Sequence, residues 1–125
     1  VKYDDIHPTL RQALGCHEGF RKMGFPPDNL FVEISPTKDP AQCVIFMTLK
    51  WRKHEPFRLI VGLWPTGQER ELTDQWRSAC EAFNSGALSR EDGDRIWQES
   101  FIYLDKMGFA AALLARNIRP PRGLS

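Results

Sequence analysis

The stretch that most constrains the fold runs from Cys43 to Trp64, CVIFMTLKWRKHEPFRLIVGLW. Cys43, Ile45, Met47, Leu49 and Trp51 fall on one parity of its first half, and Phe57, Leu59, Val61 and Leu63 on one parity of its second. Apolar residues at every second position mark strands with one buried face. Between the halves, Arg52-Lys53-His54-Glu55-Pro56 is polar. The stretch therefore reads as a two-stranded antiparallel hairpin with a solvated tip. The opposite parity holds Val44, Phe46, Ile60 and Trp64 beside Thr48, Lys50 and Arg58, which is apolar for a face left to water. Either a helix covers part of it or a partner does.

The flanking segments supply the rest of a domain. A helix is predicted from Pro8 to Met23, with proline suited to its first turn. Its apolar stripe is Leu10, Ala13, Leu14, His17 and Phe20, and Gly15 and Gly19, four apart, let another backbone come close. Gly24 offers a left-handed cap with Phe25 folding back, and Pro26-Pro27 block continuation. Leu30 to Ile34 reads as a first strand, with Glu33 pointing away from Val32 and Ile34, and Ser35 to Gln42 as a loop. Thr66 and Glu69 have capping-box spacing for a second helix, with Thr73 as an alternative start. Leu72, Trp76, Ala79, Cys80 and Phe83 stripe that helix, and Asn84-Ser85-Gly86 ends it. Ser89 and Asp92 resemble the cap of a third helix, striped by Ile96, Trp97, Ser100, Phe101 and Leu104. Lys-Met-Gly-Phe occurs at 22–25 and again at 106–109, which reads as a reused helix-ending device. A short extra helix is expected over Ala110 to Arg116, before the prolines of the tail.

The expected fold is α+β, a three-stranded antiparallel meander in the order α-β-β-β-α-α, its inner face packed against helices 2 and 3. Residues 1–118 form one domain and 119–125 a tail. The order α-β-β-β-α resembles that of double-stranded-RNA-binding domains in topology alone, since helix 2 carries Glu69 and Glu71 and no lysine cluster.

Seventeen basic against sixteen acidic residues give a net charge of +1, so bulk electrostatics favours neither nucleic acid nor an acidic partner. The longest apolar run, Phe109 to Ala115, is too short for a membrane span, and the charged N-terminus does not read as a signal peptide. Cys16, Cys43 and Cys80 are widely spaced, sit on apolar patterns and read as reduced core thiols of a cytoplasmic protein.

No local motif carries chemistry. Cys16 and His17 are sequence neighbours on a helix and point apart, so they do not form a nucleophilic pair. His17 reads as a packed histidine, His7 as a neighbour of the first helix cap and His54 as solvated. No histidine pair has ligand spacing, and no glycine-rich phosphate loop occurs. No cofactor and no metal are expected, and an enzyme built from dispersed residues is the least favoured class.

Two readings stand. The first is a small interaction or regulatory protein whose partner is another protein or a second copy, through a surface at Phe46, Ile60 and Trp64. The alternative is nucleic-acid binding at the hairpin tip. There Lys50, Arg52, Lys53, His54 and Arg58 would meet phosphates and Trp51 would stack on a base.

Overall fold

The computed structural model describes residues 1–22, 29–51 and 55–109. A 3-10 turn at Tyr3–Asp5 precedes α1 (Pro8–Lys22), β1 (Asn29–Pro36), β2 (Gln42–Lys50), β3 (Phe57–Pro65), α2 (Glu69–Ser85) and α3 (Arg90–Lys106). Among the described residues the strands form one antiparallel sheet in the order β1-β2-β3, so the α+β fold and its element order are those the sequence predicts. The extra helix expected over 110–116, the tail, the cap at Gly24 and the tip at Arg52–His54 lie outside the described residues.

The helix ends follow local chemistry. His7 precedes Pro8 and serves as the side-chain cap of α1, its Nδ1 accepting the Thr9 N–H at 3.1 Å. Ser89 caps α3 by accepting the Asp92 N–H at 3.1 Å, as its position predicts. Gly86 and Gly108 take left-handed conformations just past α2 and α3, and Phe109 folds back into the core against Phe20 and Phe57. The start of α2 differs from expectation. It begins at Glu69, whose Oε1 accepts the Gly67 N–H at 3.0 Å, while the Thr66 hydroxyl lies 3.5 Å from Cys43 Sγ. Glu69 thus satisfies a turn amide instead of closing a box with Thr66.

The largest departure concerns α1. Its buried residues run almost around the helix: Thr9, Leu10, Ala13, Leu14, Gly15, Cys16, Glu18, Gly19 and Phe20. The sequence shows a narrow stripe because two of the covered positions are glycines, which carry no apolar side chain. A Cβ on Gly15 would lie 2.5 Å from Ser100 Cβ and 2.6 Å from the Ile96 carbonyl. One on Gly19 would lie 2.6 Å from Leu104 Cδ1 and 2.7 Å from Trp97 Cζ3. The pair therefore makes a smooth groove for α3. Helix α1 packs on β3, α2 and α3, so it is α1, with α2 beside it, that lies on the sheet, while α3 rests chiefly on α1. His17, expected in the stripe, is exposed. Glu18 is buried and held by Arg21, whose guanidinium nitrogen lies 2.7 Å from its carboxylate.

One outcome separates close packing from helix propensity. Gly15→Ala should destabilise the protein by about 1–3 kcal/mol in urea denaturation, because overpacking against a backbone carbonyl outweighs the propensity gain. Gly93→Ala, also in a helix but with nothing within 4 Å of its Cβ, should stabilise by about 0.5–1 kcal/mol. Equal effects at both positions would contradict the groove.

Candidate functional site

The sheet has an inner face toward the helices and an outer face. β1 and β2 pair without irregularity, setting Phe31 beside Thr48, Glu33 beside Phe46 and Ser35 beside Val44 on the outer side. The β2–β3 ladder breaks once. Ile45 pairs with Gly62, but Phe46 pairs with Ile60, so Val61 is an extra residue and the register shifts there. A bulge of this kind reverses the facing of everything beyond it.

The reversal corrects two sequence assignments. Trp64, expected on the outer face, is buried at 2% exposure, its Nε1 donating to the Gln68 carbonyl at 2.7 Å and its ring 4.5 Å from that of His7. Leu63, expected inside, stands 52% exposed opposite Val44. The physical reason is Gly62, at φ 157. A Cβ there would lie 2.9 Å from Thr9 Cβ, and the Thr9 hydroxyl donates to the Leu63 carbonyl at 2.7 Å. Helix α1 thus touches the strand's backbone at the bulge. A glycine inside an otherwise strand-like pattern was the available signal.

The outer face as built carries Phe31 and Ile60, each 54% exposed, with Leu63, and with Val44 and Phe46 half-buried between them. Phe46 and Ile60 are where the sequence places them. One ion pair crosses the face: Arg58 donates to Glu33 at 3.0 Å, spanning β2, with the guanidinium 6.0 Å from the Phe46 ring centre. Thr48 is buried on this face, and its hydroxyl finds no hydrogen-bond partner among the described residues. Sequence reasoning missed Phe31 and the Glu33–Arg58 pair, since pairing across two strands needs the register.

Of the six residues expected at the basic tip, Lys50, Trp51 and Arg58 are described. Trp51 is buried in the core against Phe20 and is not available to a base. Arg58 is engaged by Glu33, and Arg52, Lys53 and His54 lie outside the described residues. Lys50 is half-buried.

Burial pushes the Cys16 thiol up to about 12 and the Cys80 thiol upward too, so neither is a ready thiolate. Cys43 Sγ lies 3.8 Å from Glu69 and 3.5 Å from Thr66, and no histidine bonds to it among the described residues. A cavity of about 360 Å³ between the N-terminal segment and α2 is lined by Asp5, His7, Gln75 and Ser78 among apolar residues. No hydrogen bond joins its acid to its histidine: Asp5 accepts the Lys2 N–H and His7 the Thr9 N–H. Among the described residues, no three His, Cys, Asp or Glu side chains converge as a metal site would need, and no helix is long and apolar enough to cross a membrane.

Comparison with protein-family models, with curated proteins and with solved structures finds no match to this chain.

His7 gives a pH dependence with a defined sign. Burial, then the charge of Arg11, hold its imidazole below the ordinary value of 6.5, and its Nδ1 must be unprotonated to accept the Thr9 N–H. The unfolded chain then takes up the proton more readily. The contribution is complete above the unfolded value and is lost as pH falls through 6.5 toward the lower folded value. His7→Asn, which keeps an acceptor at the cap, should flatten the fall in urea midpoint between about pH 7.5 and pH 5. A slope identical to that of the unaltered chain would show that His7 is not the titrating cap.

Proposed function

We propose that this chain is a protein-interaction module whose working surface is the outer face of the sheet, and that its partner presents the apolar stripe of an amphipathic helix. The observation that carries the reading is the exposure of Phe31, Ile60 and Leu63 together on one face, around a floor of Val44 and Phe46. A sheet face of this character is ordinarily covered by a helix, as α1 and α2 cover the inner one. A helix supplies apolar residues three and four apart, which suits a flat, non-directional surface. The Glu33–Arg58 pair would offer polar contacts to the helix's flanking charges. The phenylalanines and Ile60 are the natural anchors.

The nucleic-acid alternative has less behind it, because Trp51 is in the core and Arg58 already answers Glu33.

The reading is tested by selecting displayed amphipathic helical peptides against the unaltered protein and measuring their affinity for variants. Ile60→Asp and Leu63→Asp change exposed side chains and should keep the fold, as far-UV circular dichroism would confirm. Loss of one anchor is expected to weaken binding at least about tenfold. Peptides that bind both variants as well as the unaltered protein, or a selection that returns no binder, would overturn it.

A further inference from the structure

The two edges of the sheet are treated very differently. The edge at β3 is guarded. Its Leu63 carbonyl accepts the Thr9 hydroxyl and its Ile60 carbonyl accepts the Tyr103 hydroxyl, both at 2.7 Å. The same strand is bent by the bulge at Val61–Gly62, and α1 and α2 lie against it. These are the devices by which proteins stop an edge from recruiting another strand. The edge at β1 has none of them. It is eight residues long, it pairs with β2 in unbroken register, and its one proline is the last residue. Among the described residues no side chain or backbone group bonds to its outer edge. Each of its faces leaves one large apolar side chain exposed, Phe31 at 54% on the outer side and Ile34 at 38% on the inner, while Leu30 and Val32 are half-buried against the core.

We propose that β1 is a dimerisation edge: the β1 strands of two copies pair antiparallel about a two-fold axis at Val32, joining the sheets into one of six strands. The occupant is a second copy because this strand complements itself in that register. In Asn29-Leu30-Phe31-Val32-Glu33-Ile34-Ser35, pairing about Val32 sets Leu30 beside Ile34 of the second copy, and Val32 beside its own equivalent, on the inner face. On the outer face it sets Phe31 beside Glu33 of the second copy. Every inner pair is then aliphatic with aliphatic, the kind of cross-strand pair that stabilises a sheet, and no like charges meet. The neighbouring register about Glu33 would oppose two carboxylates. The axis stands perpendicular to the sheet, so both outer faces lie on the same side. One three-stranded face measures about 28 by 14 Å, or about 400 Å². That is half of what one side of a standard interface needs. Two joined faces reach it. Pairing at the β1 edge does not require the outer face to be a docking surface.

Sedimentation equilibrium of the full chain should give a species of about twice 14.4 kDa at high protein concentration. Phe31→Lys and Ile34→Lys, both at exposed positions, should raise the dimer dissociation constant at least about tenfold, while circular dichroism and the thermal midpoint of protein dilute enough to be monomeric hold. As a second measurement, the Val32→Cys variant in a Cys80→Ser background should cross-link to a second copy of itself with a short bismaleimide, whereas Asp74→Cys on α2 should not. A chain that is monomeric throughout overturns the proposal. So does a dimer in which the Val32→Cys variant yields no cross-link, or one that ignores both lysine variants but dissociates with Ile60→Lys, which would place the interface on the outer face instead.

Discussion

Helix α1 approaches its neighbours closely enough to touch backbone on two sides, and the rest of the fold is arranged around that approach. On one side the Thr9 side chain sits against Gly62 and bonds the Leu63 carbonyl. On the other, Gly15 and Gly19 form the floor on which Ser100, Ile96, Trp97 and Leu104 of α3 rest. A methyl group at any of the three glycines would come within 3 Å of a neighbouring atom, at Gly15 a backbone carbonyl among them. Glycine inside a helix costs about 1 kcal/mol against alanine, so two of them in α1 make sense only as packing residues. In return α1 is enclosed by the sheet, α2 and α3, and its Leu10, Ala13, Leu14, Cys16 and Phe20 all join one core with Ile45, Met47, Leu49 and Leu59. The aromatic cluster of Phe20, Trp51, Phe57 and Phe109 closes that core near the hairpin tip.

The contact at Gly62 has consequences on the far side of the sheet. By admitting an extra residue at Val61, β3 turns Trp64 inward, where it packs on His7 and the start of α2, and turns Leu63 outward. The outer face therefore loses an indole and gains a leucine, and remains apolar. The same bend, together with the hydroxyls of Thr9 and Tyr103, occupies the β3 edge. The structure is consequently asymmetric: one edge and one face are satisfied from within the chain, while the β1 edge and the outer face are not satisfied by any described residue.

Much of this was legible in the residues. Period-two alternation located β2 and β3, Ser89 located the start of α3, and Gly86 the end of α2, because each signal is local and acts on the backbone beside it. The alternation failed at Gly62, since parity is counted along one strand whereas a bulge is a mismatch between two. The central place of α1 was hidden for a similar reason. Buried glycines leave no apolar mark, so the sequence shows α1 only a narrow stripe and points to α2 and α3 as the cover of the sheet. At the outer face, Phe46 and Ile60 could be read from parity, whereas Leu63, Phe31 and the Glu33–Arg58 pair required a register that no single segment encodes. Trp51 looked like part of a basic tip because of its neighbours in sequence, but it continues the inward parity of Cys43 to Leu49 and is buried with them.

The outer face depends on the reversal at the bulge, and solvent paramagnetic relaxation tests that reversal most directly. With a soluble gadolinium probe and dilute protein, the methyls of Ile60 and Leu63 should broaden strongly, while those of Leu59 and Val61 and the indole of Trp64 are spared. Broadening of Trp64 with protection of Leu63, the pattern of an uninterrupted strand, would contradict the account.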